Sequence, residues 1–203
     1  MSNRIAVLAS GRGSDLQSLI DAVAAGSLKA DIRLVMSDKP GIMALERAEK
    51  AGIKAVCVPR KECANQQEFE EKMVAELRKA DVEYVILAGF MRILSPYFVN
   101  EFKHKIVNIH PSLLPSFGGA HAHRDVLAYG TKVSGCTIHF VDEGMDHGPI
   151  IMQGAVPVLD DDTEDTLGAR VLEQEHKLYP QAVQLLIEEK LEIVDERHVK
   201  ILK

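Results

Sequence analysis

The chain has 203 residues, 46% of them hydrophobic and 27% charged, and its formal net charge at pH 7 is −6. Acidic and basic residues are interleaved along most of the chain. This argues against nucleic-acid binding, because that binding depends on clustered Lys and Arg that neutralise phosphates. No apolar run approaches the roughly 18 residues that cross a bilayer, so we expect no membrane partner.

The cysteines and the amino-terminal residues indicate the compartment. Cys57, Cys63 and Cys136 form no CxxC pair and no even framework, so disulfide bonds are not expected and a reducing compartment is predicted. Residues 1–4 lead directly into a strand-like segment and leave no room for a signal peptide. We therefore predict a cytoplasmic protein.

Short apolar runs alternate with amphipathic segments through the first half of the chain. The runs predict strands at 4–10, 31–37, 54–59, 83–90 and 105–110, and the amphipathic segments predict helices at 15–25, 43–51 and 67–80. The fourth run, EYVILAGF, is nearly continuous in apolar residues, which is typical of a central parallel strand. This order predicts an α/β fold, an open, mostly parallel, twisted sheet with helices on both faces and right-handed crossovers.

The pattern changes after residue 120. Residues 133–142 and 149–158 have the pattern of an antiparallel pair, and a long helix is predicted from 162 or 163 to 188. A hairpin is predicted around 195–197. No repeat, low-complexity stretch or linker interrupts the sequence. We therefore predict a single domain over 1–203 with an antiparallel C-terminal extension.

A glycine-rich loop, SGRGSDLQ (10–17), joins the first predicted strand to the first predicted helix. Its glycines let a ligand approach the backbone closely. The amides of Gly13, Ser14 and Asp15 then point out of a helix N-terminus, where anions bind. Leu16 stands where a dinucleotide-binding GxGxxG motif has its third glycine, so a terminal monophosphate is the better-fitting ligand. The alternative is a tight turn in which Ser14 or Asp15 caps the helix.

Ligands of open α/β sheets bind at the carboxyl ends of the strands. Three informative stretches, 10–15, 88–95 and 108–117, follow such ends. The last of them, NIHPSLLPSF, is stiffened by two prolines. In it, Asn108 offers a neutral donor to charge that develops on a carbonyl oxygen. His110 projects to the same side if the strand continues through it.

The polar loop DEGMDHGP (142–149) could bring Asp146 to His110. A carboxylate beside an imidazole favours the charged ring, which can donate to an oxyanion. Asn108 and His110 would then stabilise a tetrahedral intermediate while Asp146 assists proton transfer from an attacking amine. No Ser or Cys lies in a nucleophile turn, so direct attack by the acceptor is favoured over a covalent intermediate. The alternative is a structural loop with a hydrogen-bonded histidine.

Four other histidines, His121, His123, His139 and His147, raise the question of a metal. The HAH pair could chelate one. However, the sequence has no HExxH motif and no paired Cys/His spacing. No metal is therefore predicted.

Several stretches together resemble the phosphoribosylglycinamide formyltransferases, a folate-dependent family of purine synthesis. They are SGRGSDLQ (10–17), LAGFMRILSP (87–96), NIHPSLLPSF (108–117), VDEGMDHGPII (141–151) and EQEHKLYP (173–180), and the likeness covers essentially the whole chain. The resemblance implies a formyltransferase Rossmann-like fold. In it, about 1–100 would hold the ribonucleotide phosphate, and about 85–203 would bind folate and carry catalysis. It also implies that the amine of glycinamide ribonucleotide attacks the formyl carbon of the co-substrate 10-formyltetrahydrofolate.

The resemblance carries site residues over position by position. The catalytic residues it implies are Asn108, His110 and Asp146. Those implied to bind the ribonucleotide are Gly13, Ser14, Asp15, Leu16, Gln17 and Glu175. Those implied to bind folate are Met91, Arg92, Ile93, Leu94, Asn108, Asp142, Glu143, Gly144, Met145 and Asp146. Whether the protein is a monomer or a homodimer stays open.

A few positions depart from the family pattern. Arg12 and Asp15 stand in a loop that often reads GNGSN, and Gln66 stands where an arginine often meets the folate tail. Leu172 replaces a polar residue, and Gly118 replaces a common proline. These departures put individual side-chain contacts in question, but the backbone amides of the glycine loop are retained.

Three alternative functions are weighed against this one. The HPSLLP loop also occurs in methionyl-tRNA formyltransferase and in formyltetrahydrofolate hydrolase. The acidic balance and the end of the chain at Lys203 argue against tRNA, and the glycine loop favours a phosphorylated acceptor over water. A non-catalytic nucleotide-binding module would share only the sheet. Substitution of His110 or Asp146 would then leave its activity unchanged.

Overall fold

The structure is a computed structural model that describes residues 3–203. The strands of the large sheet are β1 (Arg4–Leu8), β2 (Asp31–Ser37), β3 (Ala55–Cys57), β4 (Tyr84–Leu87), β5 (Ile106–His110), β6 (Val133–Phe140) and β7 (Ile150–Pro157). The helices are α1 (Ser14–Ala24), α2 (Met43–Lys50), α3 (Gln66–Lys79), α4 (Pro96–Glu101), α5 (Ala122–Tyr129) and α6 (Glu164–Ile187). A final hairpin consists of β8 (Leu191–Ile193) and β9 (Val199–Ile201). The expectation about a signal peptide falls partly on Met1 and Ser2, which lie outside the described residues.

Seven strands form one sheet in the order β3-β2-β1-β4-β5-β6-β7, while β8 pairs with β9 in a separate sheet. The pairings among β1 to β5 are parallel, and β6 is antiparallel to both β5 and β7. The predicted mostly parallel sheet, its antiparallel extension and the final hairpin are therefore confirmed.

Side chains of β1 enter two hydrophobic cores in alternation, because successive residues of a strand point to opposite faces. Ile5 and Val7 belong to the core that includes buried residues of α1, α2, α5 and α6. Ala6 and Leu8 belong to the core that includes residues of α3 and α4. Helices cover both faces of the sheet, as the sequence predicts.

Two short helices, α4 and α5, are missing from the sequence prediction. α4 has six residues and begins with Pro96, and α5 buries only Ala122 and Val126. Neither offers an apolar repeat long enough to be recognised as helical periodicity. Most strands are also shorter than predicted, although β2 has the predicted bounds, 31–37. β4 ends at Leu87 rather than at 90 because the chain turns at Gly89, whose φ is 71°.

The strand order reverses between β1 and β4, which is the point where open α/β sheets bind ligands. α6 packs against α1 and β7 on one face of the sheet. Its residue Tyr179 is fully buried, and the hydroxyl oxygen lies 2.7 Å from the carbonyl oxygen of Leu87 and 3.2 Å from that of Val107. None of the helices within 3–203 combines the length and apolar character of a membrane-spanning segment.

Candidate active site

The glycine loop turns sharply into α1. Gly13 is the N-cap residue of that helix, with φ 70°, and a Cβ at this position would lie 2.8 Å from the Cβ of Ala44. Both the positive φ and the close approach require glycine here. No side chain caps the N-terminus of α1, so the prediction's alternative, capping by Ser14 or Asp15, is wrong. The first-turn amides are left available to an anion.

Not all residues predicted to bind the ribonucleotide could contact it through their side chains. Leu16 is fully buried in the core, so it could contribute only its backbone amide. The side chain of Gln17 is engaged on both sides. Its Nε2 donates to Asp21 Oδ1 at 2.8 Å, and its Oε1 accepts from Arg47 Nη1 at 2.9 Å.

Two carboxyl groups are buried near the start of α1, one of them in the glycine loop itself. Asp15 of α1 and Glu175 of α6 are 9% and 6% exposed, and Asp15 Oδ1 has no hydrogen-bond partner among the described residues. Burial raises the pKa of both carboxyls, and the charge of Asp15 raises that of Glu175 further. His176 Nε2 lies 3.7 Å from Asp15 Oδ1 and is likewise without a hydrogen-bond partner in residues 3–203. Buried polar atoms that lack a protein partner are suited to a ligand that brings hydrogen-bond donors to them.

Asn108 and His110 lie two residues apart on β5. The His110 ring is buried, and its Nε2 lies 3.0 Å from the carbonyl oxygen of Phe117. A carbonyl oxygen only accepts, so this nitrogen carries a hydrogen. Nδ1 of the same ring lies 3.5 Å from Asp146 Oδ2. The loop that follows β6 therefore brings the carboxylate of Asp146 close to the imidazole of His110.

The Asp146 carboxylate is held in place by the loop that follows β5. Its Oδ2 accepts a hydrogen bond from the Gly119 amide at 2.8 Å. The backbone of Asp146 has φ 51°, in the left-handed region. That conformation is uncommon outside glycine, although Asp tolerates it better than most residues.

His139 is a candidate functional residue that the sequence prediction missed. The sequence suggested it only as a possible metal ligand. It lies opposite Asn108 in the β5–β6 ladder. Its Nδ1 donates to the carbonyl oxygen of Phe140 at 2.8 Å, so its Nε2 is free to accept from Asn108 Nδ2 at 3.2 Å. Burial lowers the pKa of this imidazole, which favours the neutral ring that such an arrangement needs. One hydrogen of the Asn108 amide is thereby fixed, and the other can point to a substrate.

The first segment predicted to bind folate follows β4, and its side chains differ in solvent exposure. Met91 and Ile93 are each 67% exposed, whereas Leu94 is buried. Exposed apolar side chains at the mouth of a site are suited to the flat face of an aromatic ring system. Gln66, at a position that departs from the family pattern, donates to the carbonyl oxygen of Ile93 at 3.1 Å.

Arg92 is paired within the protein. Its Nε donates to Asp38 Oδ2 at 2.7 Å, and the Asp38 side chain is 0% exposed. Ser10 Oγ donates to the other oxygen of Asp38 at 2.6 Å and accepts from the Met91 amide at 2.9 Å. This network joins Ser10, the first residue of the glycine loop, to the folate stretch, and the sequence prediction did not include these hydrogen bonds.

The second predicted folate segment, 142–146, is a compact turn. Asp142 Oδ1 accepts from the Gly144 amide at 2.9 Å, and Met145 is 63% exposed. Glu143 lies toward α4, where Asn100 Nδ2 is 3.4 Å from its Oε1. Within residues 3–203, no group of three His, Cys, Asp or Glu side chains is arranged to hold a metal ion.

Comparisons with a family model, with curated sequences and with solved structures agree on the family of this chain. The model of the Formyl transferase family matches residues 3–183. The trifunctional purine biosynthetic protein adenosine-3 of Drosophila melanogaster is 48% identical over 186 residues, which are 91% of this chain but 14% of the fly protein. The chain thus spans about one seventh of that relative's length.

Bacterial relatives match over most of their length. The phosphoribosylglycinamide formyltransferase of Escherichia coli (strain K12) is 43% identical over 176 residues, 87% of this chain and 83% of that protein. Glycinamide ribonucleotide transformylase 1 from Symbiobacterium toebii has a crystal structure that is similar with a TM-score of 0.97 at 42% identity. The match covers 100% of this chain and 95% of that one. The chain therefore belongs to the formyl transferase family.

Proposed function

We propose that the protein transfers the formyl group of 10-formyltetrahydrofolate to the amino group of N1-(5-phospho-D-ribosyl)glycinamide. The products are formylglycinamide ribonucleotide and tetrahydrofolate, in de novo purine (IMP) biosynthesis. The observation that carries this proposal is that Asn108 and His110 lie two residues apart on β5, with Asp146 Oδ2 3.5 Å from Nδ1 of His110. The names of the bacterial relatives support the choice of acceptor.

The ribonucleotide occupies the amino-terminal side of the site in this proposal. Its phosphate binds the amides of Gly13, Ser14 and Asp15 at the start of α1, where the helix dipole favours an anion. The buried carboxyl of Glu175 accepts hydrogen bonds from the glycinamide ribonucleotide. In this arrangement about 1–100 supplies the phosphate subsite. About 85–203 supplies the folate subsite and the catalytic groups, and a cytoplasmic location remains part of the proposal.

The chemistry is direct attack of the substrate amine on the formyl carbon. A new C–N bond forms, the carbonyl electrons move onto the formyl oxygen, and Asn108 and charged His110 stabilise that oxyanion. Asp146 assists transfer of the proton from the attacking nitrogen. When the oxyanion collapses, the bond from carbon to the folate nitrogen breaks, and that nitrogen takes up a proton. His139 contributes by holding the Asn108 amide in its orientation.

The folate subsite lies along Met91–Leu94 and the 142–146 turn. The exposed side chains of Met91, Ile93 and Met145 offer apolar contacts to the pterin, and main-chain groups of both segments offer hydrogen bonds. Arg92 is expected to act from its place beside Asp38, because its Nε is already engaged there.

The decisive experiment follows tetrahydrofolate release from 10-formyltetrahydrofolate with and without the ribonucleotide. We expect release only when the ribonucleotide is present, and little release with glycinamide riboside, which lacks the phosphate. Release without any acceptor would identify a hydrolase instead. No release under any condition, with both ligands still binding, would favour the non-catalytic module.

A further inference from the structure

The β8–β9 hairpin lies outside residues 3–183, the part that the family model matches, yet it is docked beside the proposed active site. Ile150, the first residue of β7, forms an isolated parallel bridge with His198. The turn that precedes His198 is ordered by Asp195, whose Oδ1 accepts from the amides of Arg197 at 2.8 Å and His198 at 2.9 Å. The Arg197 side chain is therefore presented from a defined turn.

Arg197 reaches across to the loop that contains Asp146. Its Nη1 donates to the carbonyl oxygen of His147, and its Nη2 contacts Nε2 of the same residue. A guanidinium has donors and no acceptor, so the imidazole Nε2 must accept. The hydrogen of the ring is then on Nδ1, which donates to Asp142 Oδ2 at 2.8 Å. Arg197, His147 and Asp142 form one directed series of hydrogen bonds.

These hydrogen bonds hold both ends of the 142–147 loop, which contains Asp146, the proposed catalytic carboxylate. Asp142 also accepts from the Gly144 amide at 2.9 Å. A Cβ at Gly144 would lie 2.7 Å from the Cβ of His147, so the loop is folded tightly on itself. Asp146, immediately before His147, has φ 51°. A left-handed residue other than glycine persists only when its surroundings hold it there.

We infer that Arg197 is a positioning residue for formyl transfer, acting through His147 to hold Asp146 in reach of His110. The inference rests on the proposed function, because it assigns a purpose to the geometry of Asp146. It also gives the final hairpin a role in the reaction, although the hairpin contributes no group to the reacting atoms.

The test compares Arg197→Ala with Lys200→Ala. Lys200 is on the same hairpin and its side chain is 67% exposed. Its Nζ lies 3.9 Å from Glu192 Oε2, so this ion pair lies within the hairpin. We expect Arg197→Ala to lower kcat about tenfold or more, since a misplacement of about 1 Å can cost about a hundredfold. The KM for the ribonucleotide should not change. Added methylguanidinium should restore part of the rate and methylammonium should not, because only the planar cation offers two parallel donors.

Hydrogen exchange provides a readout that does not need activity. The Gly144 amide should exchange faster in Arg197→Ala than in the unsubstituted protein or in Lys200→Ala. If the unsubstituted protein transfers no formyl group, the proposed function fails, and the exchange data still decide whether Arg197 holds the loop. An unchanged kcat and unchanged exchange in Arg197→Ala would overturn the inference. So would an equal loss in Lys200→Ala, which would indicate a general effect of the hairpin on stability.

Discussion

Replacing Arg92 with Met should reveal how much of the fold depends on one buried charge. The Asp38 carboxylate is 0% exposed, and its two side-chain partners in the described residues are Arg92 Nε at 2.7 Å and Ser10 Oγ at 2.6 Å. Arg92→Met removes the cation and leaves the carboxylate buried. Breaking a buried pair in this way costs about 3–5 kcal/mol. We expect about 3 kcal/mol, the low end of that range, because the Arg92 side chain is already 39% exposed.

The reverse substitution should be milder. Asp38→Asn removes the charge on the buried side and leaves Arg92, which can turn toward water. Its cost should be about 1.5–2 kcal/mol, the low end of the range for a hydrogen bond to a charged group, because Asn keeps an oxygen that can still accept. The double variant should cost less than the sum of the two, because no carboxylate then stays unpaired.

Urea unfolding at pH 7 measures these free energies, provided that the slope with urea is unchanged. Lys132→Met is the matched control, since it breaks the pair between Lys132 Nζ and Asp160 Oδ1, 2.6 Å apart with side chains 75% and 92% exposed. No measurable loss is expected there. The reasoning is refuted if Arg92→Met costs no more than Asp38→Asn, or if the two costs simply add.

Three further outcomes are expected. His110→Ala and Asp146→Asn should keep the native circular dichroism spectrum but lower kcat by about 10²–10³, the loss typical of removing a group that stabilises transition-state charge or assists proton transfer. Near-normal turnover in either variant would reject the role proposed for that residue. Burial raises the pKa of Glu175 in the folded state, so the folded protein retains a proton that the unfolded chain releases. Urea unfolding at a series of pH values should therefore show that the free energy of unfolding falls as the pH rises from about 4. Glu175→Gln should flatten that fall, and parallel pH curves would contradict the assignment. Gly135→Ala should lower Tm substantially, because its Cβ would lie 1.9 Å from the carbonyl oxygen of Gly154; an unchanged Tm would show that the strands move apart at little cost.

The sequence predicted the sheet well because buried parallel strands are continuous apolar runs, as in IAVL of β1 and YVIL of β4. It missed α4 because six residues give less than two helical turns of pattern. It also placed the end of β4 three residues late, since apolar residues continue past Leu87 into a turn whose direction Gly89 decides.

The candidate site was predictable where function depends on a local pattern. The glycine loop and the spacing of Asn108 and His110 are visible in the chain itself. The partner of Asn108 is not, because identifying His139 requires the register between β5 and β6. The same holds for Arg92, whose partner lies 54 residues earlier in the chain.

The buried hydroxyl of Tyr179 has a mechanical consequence. It touches the carbonyls of Leu87 and Val107, so the long helix cannot slide along the sheet without losing both contacts. Glu175 lies one helical turn before this anchor, and Asn108 directly follows Val107. The spacing between a group proposed to grip the nucleotide and one proposed to face the formyl oxygen is thus set by rigid scaffold.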